Sequence, residues 1–594
     1  MRGWLLGLLA IAASARGEVL SSAGVETGDP LAVAPSSRAE LGAPSLTGKH
    51  GAGPWRMEAF TKPNSGSPAP ETTRNIFEGR LKLIAERPAK GFHVLVDSYG
   101  VATADGGAAV ARLPDFDFEF LQSAGALIPV RRGSIPGGHG RWEFILEPGR
   151  VWDEPEDGGY TRAALPFTLE ERNENCMHNG VLTFLFRGDG SVSDVAFEIA
   201  QETCLYLQFD WWGFAQARYS PGTVAGRGAL IARYRDEVAG RLPTRPISQL
   251  AQDYPGTRPE NFASAQELEP QSLTVHGVVI DGVHYSSDCP TRFGTYPFCD
   301  VLDLPSYSLS KSIVGGIGTM RLNTLIPQFA ESAIVDWVPQ CAGRDGWQGV
   351  TVQDTLDMMT GRYLSPAFEH DEEHDSDGFF AARSHAAKLE FACTHFPRRA
   401  NPGEVWVYRT TDTYVLGTAL ANSYAARFGK SADFYDGLLA RDIWKPLRLS
   451  PVMDVPRRTY DAAAQVFTGY GLTLHRDDIA KIAGFLNVAH GRIEGRVMLD
   501  QAMLDDALHR TSDRRRPPTG SDDIHYRNGF WSWNAQHALG CRQPTWIPLM
   551  GGFGGIVVEL LPNGMTYYYF SDGGRFKYAL GAEEANRIRP FCAK

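Results

Sequence analysis

The stretch Tyr307-Ser308-Leu309-Ser310-Lys311-Ser312, continued by Ile313-Val314-Gly315-Gly316-Ile317, decides how the C-terminal half of this chain is read. Ser308 and Lys311 form an SxxK motif. On a helix, a spacing of three places hydroxyl and amine on one face, one turn apart. A neutral Lys311 could then accept the Ser308 proton, provided that burial or nearby positive charge lowers the amine from its free pKa of about 10.4. The apolar residues that follow would bury the start of such a helix. Alone the motif is weak, because a chain of ordinary composition and this length holds roughly half of one SxxK by chance.

Its companions carry the reading. Downstream lie Thr351-Val352-Gln353-Asp354-Thr355-Leu356-Asp357-Met358-Met359-Thr360-Gly361, then Asn401-Pro402-Gly403-Glu404-Val405-Trp406-Val407-Tyr408-Arg409-Thr410, then Met550-Gly551-Gly552-Phe553-Gly554-Gly555. In order and spacing these stretches resemble the serine β-lactamase-like hydrolases: penicillin-binding proteins, class C β-lactamases, related esterases and 6-aminohexanoate-oligomer hydrolases. The resemblance covers residues 272 to 594. It implies an α+β, β-lactamase/transpeptidase-like domain with an antiparallel sheet and acyl-transfer chemistry that needs no cofactor. Ser308 would be the acylated nucleophile and Lys311 its activating partner. Tyr408, as phenol or as a phenolate stabilised by Lys311, would share the proton traffic and protonate the leaving group. The backbone N–H groups of Ser308 and Phe553 would form the oxyanion hole, with Arg409, Thr410, Met550, Gly551 and Gly552 at the substrate.

Two positions depart from the family pattern. Where Tyr-x-Asn is common, this chain has Tyr408-Arg409-Thr410, so Thr410 offers a hydroxyl and no amide. Where a Lys or His commonly leads the third motif, Met550 carries neither charge nor a strong donor. Neutral esters or amides are therefore expected to turn over faster than penicillins, with Arg409 the residue best able to reach a substrate carboxylate instead.

Outward from this core the texture changes. Val275 to Ile280 and Val283 to Tyr285 flank Asp281-Gly282, a hairpin turn signal, and Pro562-Asn563-Gly564 separates two further strand-like runs near the end. Helical patterns around Ser310 to Leu325, Val352 to Met359, Thr413 to Arg427 and Asp477 to Ala489 lie between. Strands at both ends with helices between them predict an α+β unit over 271–594 whose terminal segments share one sheet. Residues 71–236 alternate short apolar runs, such as Phe92 to Val96, Trp142 to Leu146 and Val181 to Phe186, with Gly, Asp and Pro turns. This predicts an all-β, sandwich-like accessory domain of open function. Residues 237–270 read as a linker and 16–70, rich in Ala, Gly, Ser and Pro, as a flexible leader. Met1-Arg2, the apolar run Trp4 to Ala13 and Ala13-Ser14-Ala15 read as a signal peptide over 1–15, too short to be a membrane anchor. A secreted or periplasmic chain is expected.

The 594 residues carry a formal net charge of −11 and no run of consecutive Lys or Arg longer than Arg514-Arg515-Arg516, a balance that argues against nucleic acid as a partner. Oligomeric state is left open. The 8 Cys suit disulfides in an oxidising compartment. Short separations favour Cys176 with Cys204 and Cys289 with Cys299, then Cys341 with Cys393 and Cys541 with Cys592.

Other classes compete. His370-Asp371-Glu372-Glu373-His374 fits the HxxEH pattern of some zinc peptidases, in which two helix-borne His bind metal. Its acidic, Gly- and Ser-containing surroundings read instead as a solvated loop overhanging the active site, so no metal site is assigned. Glu373, Asp375, Asp377 and Gly378 mimic the start of a calcium loop, yet Ser384 stands where the closing Glu belongs. The remaining rival is a catalytically idle β-lactamase-fold binding protein.

Overall fold

The computed structural model describes residues 35–63, 72–84, 92–102, 110–343, 346–511 and 519–592. The expected signal peptide lies outside them. The N-terminal unit consists of ten strands: β1 (Glu78–Ile84), β2 (Phe92–Asp97), β3 (Asp117–Ser123), β4 (Ala126–Pro129), β5 (Trp142–Leu146), β6 (Gly149–Trp152), β7 (Thr161–Glu171), β8 (Met177–Phe186), β9 (Val195–Thr203) and β10 (Phe209–Pro221). They form one antiparallel sheet in the order β1-β3-β4-β6-β7-β8-β9-β10, with β2 beside β10 and β5 beside β7. Because β1 pairs with β10 as well as with β3, the sheet closes on itself. The expected sandwich is thus a barrel. Eight closed strands leave an interior that side chains can fill. Phe77, Phe120, Phe144, Phe167, Phe184 and Phe197 pack into that interior.

Along β1 the alternation is plain: Leu81 and Leu83 point inward while Arg80 and Lys82 face water. Along β7 it disappears. Ala163, Leu165 and Phe167 join the barrel interior, whereas Ala164 packs outward into the core of the C-terminal half. One wall of the barrel is therefore covered on both faces, the condition that turns an alternating strand into an unbroken buried run.

The leader expectation fails for residues 35–63. Leu41, Leu46, Trp55, Met57 and Phe60 are buried, and the Trp55 ring stands 5.0 Å from Trp212 and 5.5 Å from Phe214 of β10. The Trp55 N–H donates to the Glu198 carboxylate at 2.6 Å. Its large apolar residues are few, but nearly all are spent on the barrel wall. The linker expectation also needs correction. Thr244–Pro246 (β11) joins the second sheet, and Leu250, Phe262 and Leu268 are buried against that sheet's outer face.

The second sheet adds β12 (Leu273–Ile280), β13 (Val283–Ser286), β14 (Ile524–Arg527), β15 (Phe530–Asn534), β16 (Trp546–Gly552), β17 (Ile556–Leu560) and β18 (Thr566–Ser571). Its order is β11-β13-β12-β18-β17-β16-β15-β14. The first hairpin and the last three strands meet at the β12–β18 pair, which joins the two ends of the domain as expected. The helices needed here are α1 (Ile317–Leu325), preceded by a π-helical turn Lys311–Gly316, then α2 (His370–Asp375), α3 (Thr410–Phe428) and α4 (Arg476–Asn487).

The two preferred disulfides, Cys176–Cys204 and Cys289–Cys299, and the two less favoured pairings, Cys341–Cys393 and Cys541–Cys592, are all formed. No described helix is long and apolar enough to cross a membrane. Buried polar contacts fasten the barrel to the C-terminal unit. The Arg457 guanidinium meets Glu143 at 3.0 Å and Glu170 at 2.7 Å, and Thr168 donates to Asp303 at 2.8 Å.

Candidate active site

Every residue from 301 to 320 is buried except Ser308, which is half-buried. Tyr307 immediately before it has φ +39°. A non-glycine residue in the left-handed region costs about 1–2 kcal/mol, so the surroundings must hold it there. They do so through Asn175, in the turn between β7 and β8 of the barrel. Its Oδ1 accepts from the Tyr307 N–H at 2.8 Å, from the Ser306 hydroxyl at 3.2 Å and from the Gly471 N–H at 3.2 Å. Its Nδ2 donates to Glu170 and to the Leu472 carbonyl. The barrel thus fixes the turn that presents Ser308.

Lys311 lies beneath this turn. Its Nζ is 2.8 Å from Ser308 Oγ, 2.7 Å from Thr410 Oγ1 and 3.3 Å from the Gly469 carbonyl. A neutral amine has two N–H groups and one lone pair. The N–H groups suit Thr410 Oγ1 and the Gly469 carbonyl, which leaves the lone pair for the Ser308 O–H. Burial brings Lys311 down to about 8, while the nearby Glu372 and Glu369 carboxylates oppose that shift. Gly469 must be glycine, since a Cβ there would stand 2.6 Å from Thr410 Cγ2. Gly552, at the end of β16, would bring its Cβ to 2.9 Å from the Ser306 carbonyl. This close approach sets the Phe553 turn beside the Ser306–Ser308 turn.

The Tyr408 phenol interacts electrostatically with Ser308, and its ring centroid lies 4.8 Å from Lys311 Nζ. Burial, with Glu372 nearby, holds the phenol well above its ordinary value. Ionising a buried phenol beside carboxylates is unfavourable, so these surroundings favour the phenol over a resting phenolate. Trp531 backs Tyr408, ring to ring at 5.6 Å.

Thr410, the first residue of α3, bonds a residue of the HxxEH stretch. Its N–H donates to Glu372 Oε2 at 2.7 Å, and its hydroxyl donates to Glu372 Oε1. A carboxylate here satisfies an orphan N–H and favours the positive end of the 19-residue helix. The segment expected as a loop is the short helix α2, and it does overhang the site. Its histidines stack on each other at 4.8 Å. Among the described residues the cluster able to hold a metal there is His370, Asp371 and Asp375, without His374, and Asp371 already accepts from the Leu364 and Ser365 N–H groups. The calcium-loop mimic dissolves as well, because Ser384 caps the helix His385–Thr394.

Arg409 and Met550, both expected at the substrate, do not reach it. Tyr408 and Arg409 follow each other on extended backbone, so their side chains take opposite sides. Arg409 is buried with Asp412 at 2.6 Å and donates to Thr360 at 2.8 Å. Met550 pairs with Val558 and lies fully buried in the core with Phe530 and Tyr568. Covered on that side by packed apolar residues, the strand sends Met550 into the interior. Gly551 lies against Trp531 and Gly552 against Ser306 and Leu309. Asn175 escaped the sequence reading because an Asn in a strand-connecting turn looks like any other. The only signal was its place beside Cys176.

No family model and no curated protein matches the chain. Among solved structures it is similar to the hydrolase EstCE1, which has promiscuous acyltransferase activity, with 15% identity over 60% of this chain and 98% of that one and a TM-score of 0.41. It is similar to a D-stereospecific amidohydrolase from Streptomyces with 13% identity over 55% and 98% and a TM-score of 0.37. A class C β-lactamase gives 12% identity over 61% and 97% and a TM-score of 0.38. These neighbours are hydrolases of the β-lactamase fold. At such distance the chemistry is read from the residues of this chain.

Proposed function

We propose that this protein is an exported serine hydrolase that cleaves an ester or amide through an acyl-enzyme. The observation that carries this reading is the single half-exposed hydroxyl of Ser308, set 2.8 Å from a buried lysine amine whose other hydrogen-bonding capacity is already engaged. Ser308 Oγ attacks the carbonyl carbon as its proton passes to Lys311 Nζ. The Ser308 and Phe553 N–H groups receive the developing oxyanion, a contribution of about 3 kcal/mol per donor. As the tetrahedral intermediate collapses, the bond to the leaving group breaks, and that group takes a proton from Tyr408, which Lys311 resupplies. Water then attacks the acyl-enzyme with the same groups reversing roles, releasing the acid and restoring Ser308.

Neutral substrates fit this site better than anionic ones. Arg409 and Met550 offer nothing to a substrate carboxylate, and Glu369, Glu372 and Glu373 of the overhanging segment interact electrostatically with one another, the first two also with Lys311. The four disulfides fit an oxidising, extracytoplasmic compartment.

A labelled fluorophosphonate tests the chemistry, because capture requires an activated serine. The expected result is one label on Ser308, with Ser308→Ala unlabelled and turnover of a short-chain neutral ester down at least about a thousandfold. No label on the wild-type protein would leave the idle binding protein as the better reading.

A further inference from the structure

Three large apolar side chains that remain exposed, Tyr99, Tyr206 and Phe553, with 56%, 37% and 39% of their surface accessible, come from distant parts of the sequence and gather at one place. Tyr99 follows β2 and Tyr206 lies between β9 and β10, both on the barrel, whereas Phe553 follows β16. The Tyr206 ring stands 6.0 Å from Phe553, and Phe553 stands 5.6 Å from Tyr307, the residue before the nucleophile. The Tyr99 hydroxyl donates to the Leu205 carbonyl at 2.8 Å. Leu205 in turn packs near Gly574, where a Cβ would lie 3.5 Å away.

This arrangement is held rigid. The Tyr206 hydroxyl donates to Glu171 at 2.7 Å, Glu171 is paired with Arg141 at 3.0 Å, and the neighbouring Cys204 is tied to Cys176. The rings meet at 47° and 60°, not in a closed stack. Exposed aromatic surface fixed in this way costs little further ordering when it receives an apolar group. Its position says which group. Phe553 follows the strand that touches the Ser306 carbonyl, and Tyr307 precedes Ser308, so anything lying against these rings lies beside the reacting carbonyl.

We propose that Tyr206 and Phe553, backed by Tyr307, form a substrate-binding wall shared by the barrel and the C-terminal unit, which receives an aromatic or long aliphatic group of an ester or amide. The barrel thereby contributes to specificity. This assignment rests on the hydrolase reading of Ser308.

Two series of neutral esters test it on the full-length protein: p-nitrophenyl esters from acetate to octanoate, and acetates of alcohols from ethanol to phenylethanol. The expected result is a rise in kcat/KM of at least about tenfold along one series, since each buried methylene is worth several-fold. Tyr206→Ala should lower that long-to-short ratio about tenfold. Phe553→Ala, which keeps the backbone N–H, should do the same, whereas Phe428→Ala, an exposed aromatic on α3 outside the wall, should not. A flat response along both series, or an unchanged ratio in both wall variants while fluorophosphonate still labels Ser308, would overturn the wall. Absence of labelling in the wild-type protein would overturn the hydrolase reading first, and the wall with it.

Discussion

The chemistry of Lys311 turns on a balance at one amine. Burial lowers its pKa to about 8, against the pull of Glu369 and Glu372, and its other neighbours are Ser308, the Tyr408 ring, Thr410 and the Gly469 carbonyl. The protonated form cannot accept the Ser308 proton, so activity should rise with pH to a plateau and fall as acidification fills the amine. Glu369, itself raised by burial to about 8 and pressed by Glu373 and Glu372, titrates in the same range, so the apparent midpoint belongs to both groups. A chemistry-limited profile of kcat/KM should show an acid limb with a midpoint near 8. A flat rate between about pH 6 and about pH 9 would contradict the role of Lys311 as base. Lys311→Arg should not restore activity, because a guanidinium stays charged. Sequence alone could place Ser308, Lys311 and Tyr408 in one site. It could not show that burial keeps Tyr408 protonated, since that depends on what packs around the ring.

At the scale of elements, α2 was the hardest to foresee. Its six residues, His370–Asp375, carry no apolar stripe, and a helix this short does not persist by propensity alone. Tertiary bonds hold it: Asp371 accepts backbone N–H groups from the preceding turn, and Glu372 caps α3. The cap also acts electrostatically on Lys311. Glu372→Gln keeps an acceptor for the Thr410 N–H but removes a charge that favours the protonated form of Lys311. Its acid limb should therefore move to lower pH, by about one unit for a close charge. An unmoved limb in the kcat/KM profile would show that Glu372 acts only as a cap. The helices Thr410–Phe428 and Arg476–Asn487 were legible in advance because their apolar spacing runs for several turns, unlike that of α2.

For the whole molecule, the barrel is fastened to the turn that carries Ser308. Asn175 holds both the left-handed Tyr307 and the Gly471 N–H, two residues past the Gly469 carbonyl bonded to Lys311. Asn175→Ala would leave these groups without a partner, at a cost of about 1–3 kcal/mol, and let the nucleophile turn relax. The rate at which fluorophosphonate labels Ser308 should fall at least about tenfold in protein that keeps its native near-UV circular dichroism. Labelling at the wild-type rate would mean that the turn is set by the C-terminal unit alone.

The order of motifs from Ser308 to Phe553, the two closely spaced disulfides Cys176–Cys204 and Cys289–Cys299, and the hairpin around Asp281-Gly282 were legible in the sequence. Each rests on local spacing, on turn chemistry or on the resemblance those motifs carry. Tertiary structure alone decided that the β-rich half closes into a barrel, that residues 35–63 pack on its wall, and that Met550 and Arg409 turn away from the substrate. Strand alternation tells which residues share a face, but not what will cover that face. Closure requires β1 to find β10 more than a hundred residues away, and the fate of a side chain on a covered sheet is set by the layer packed against it.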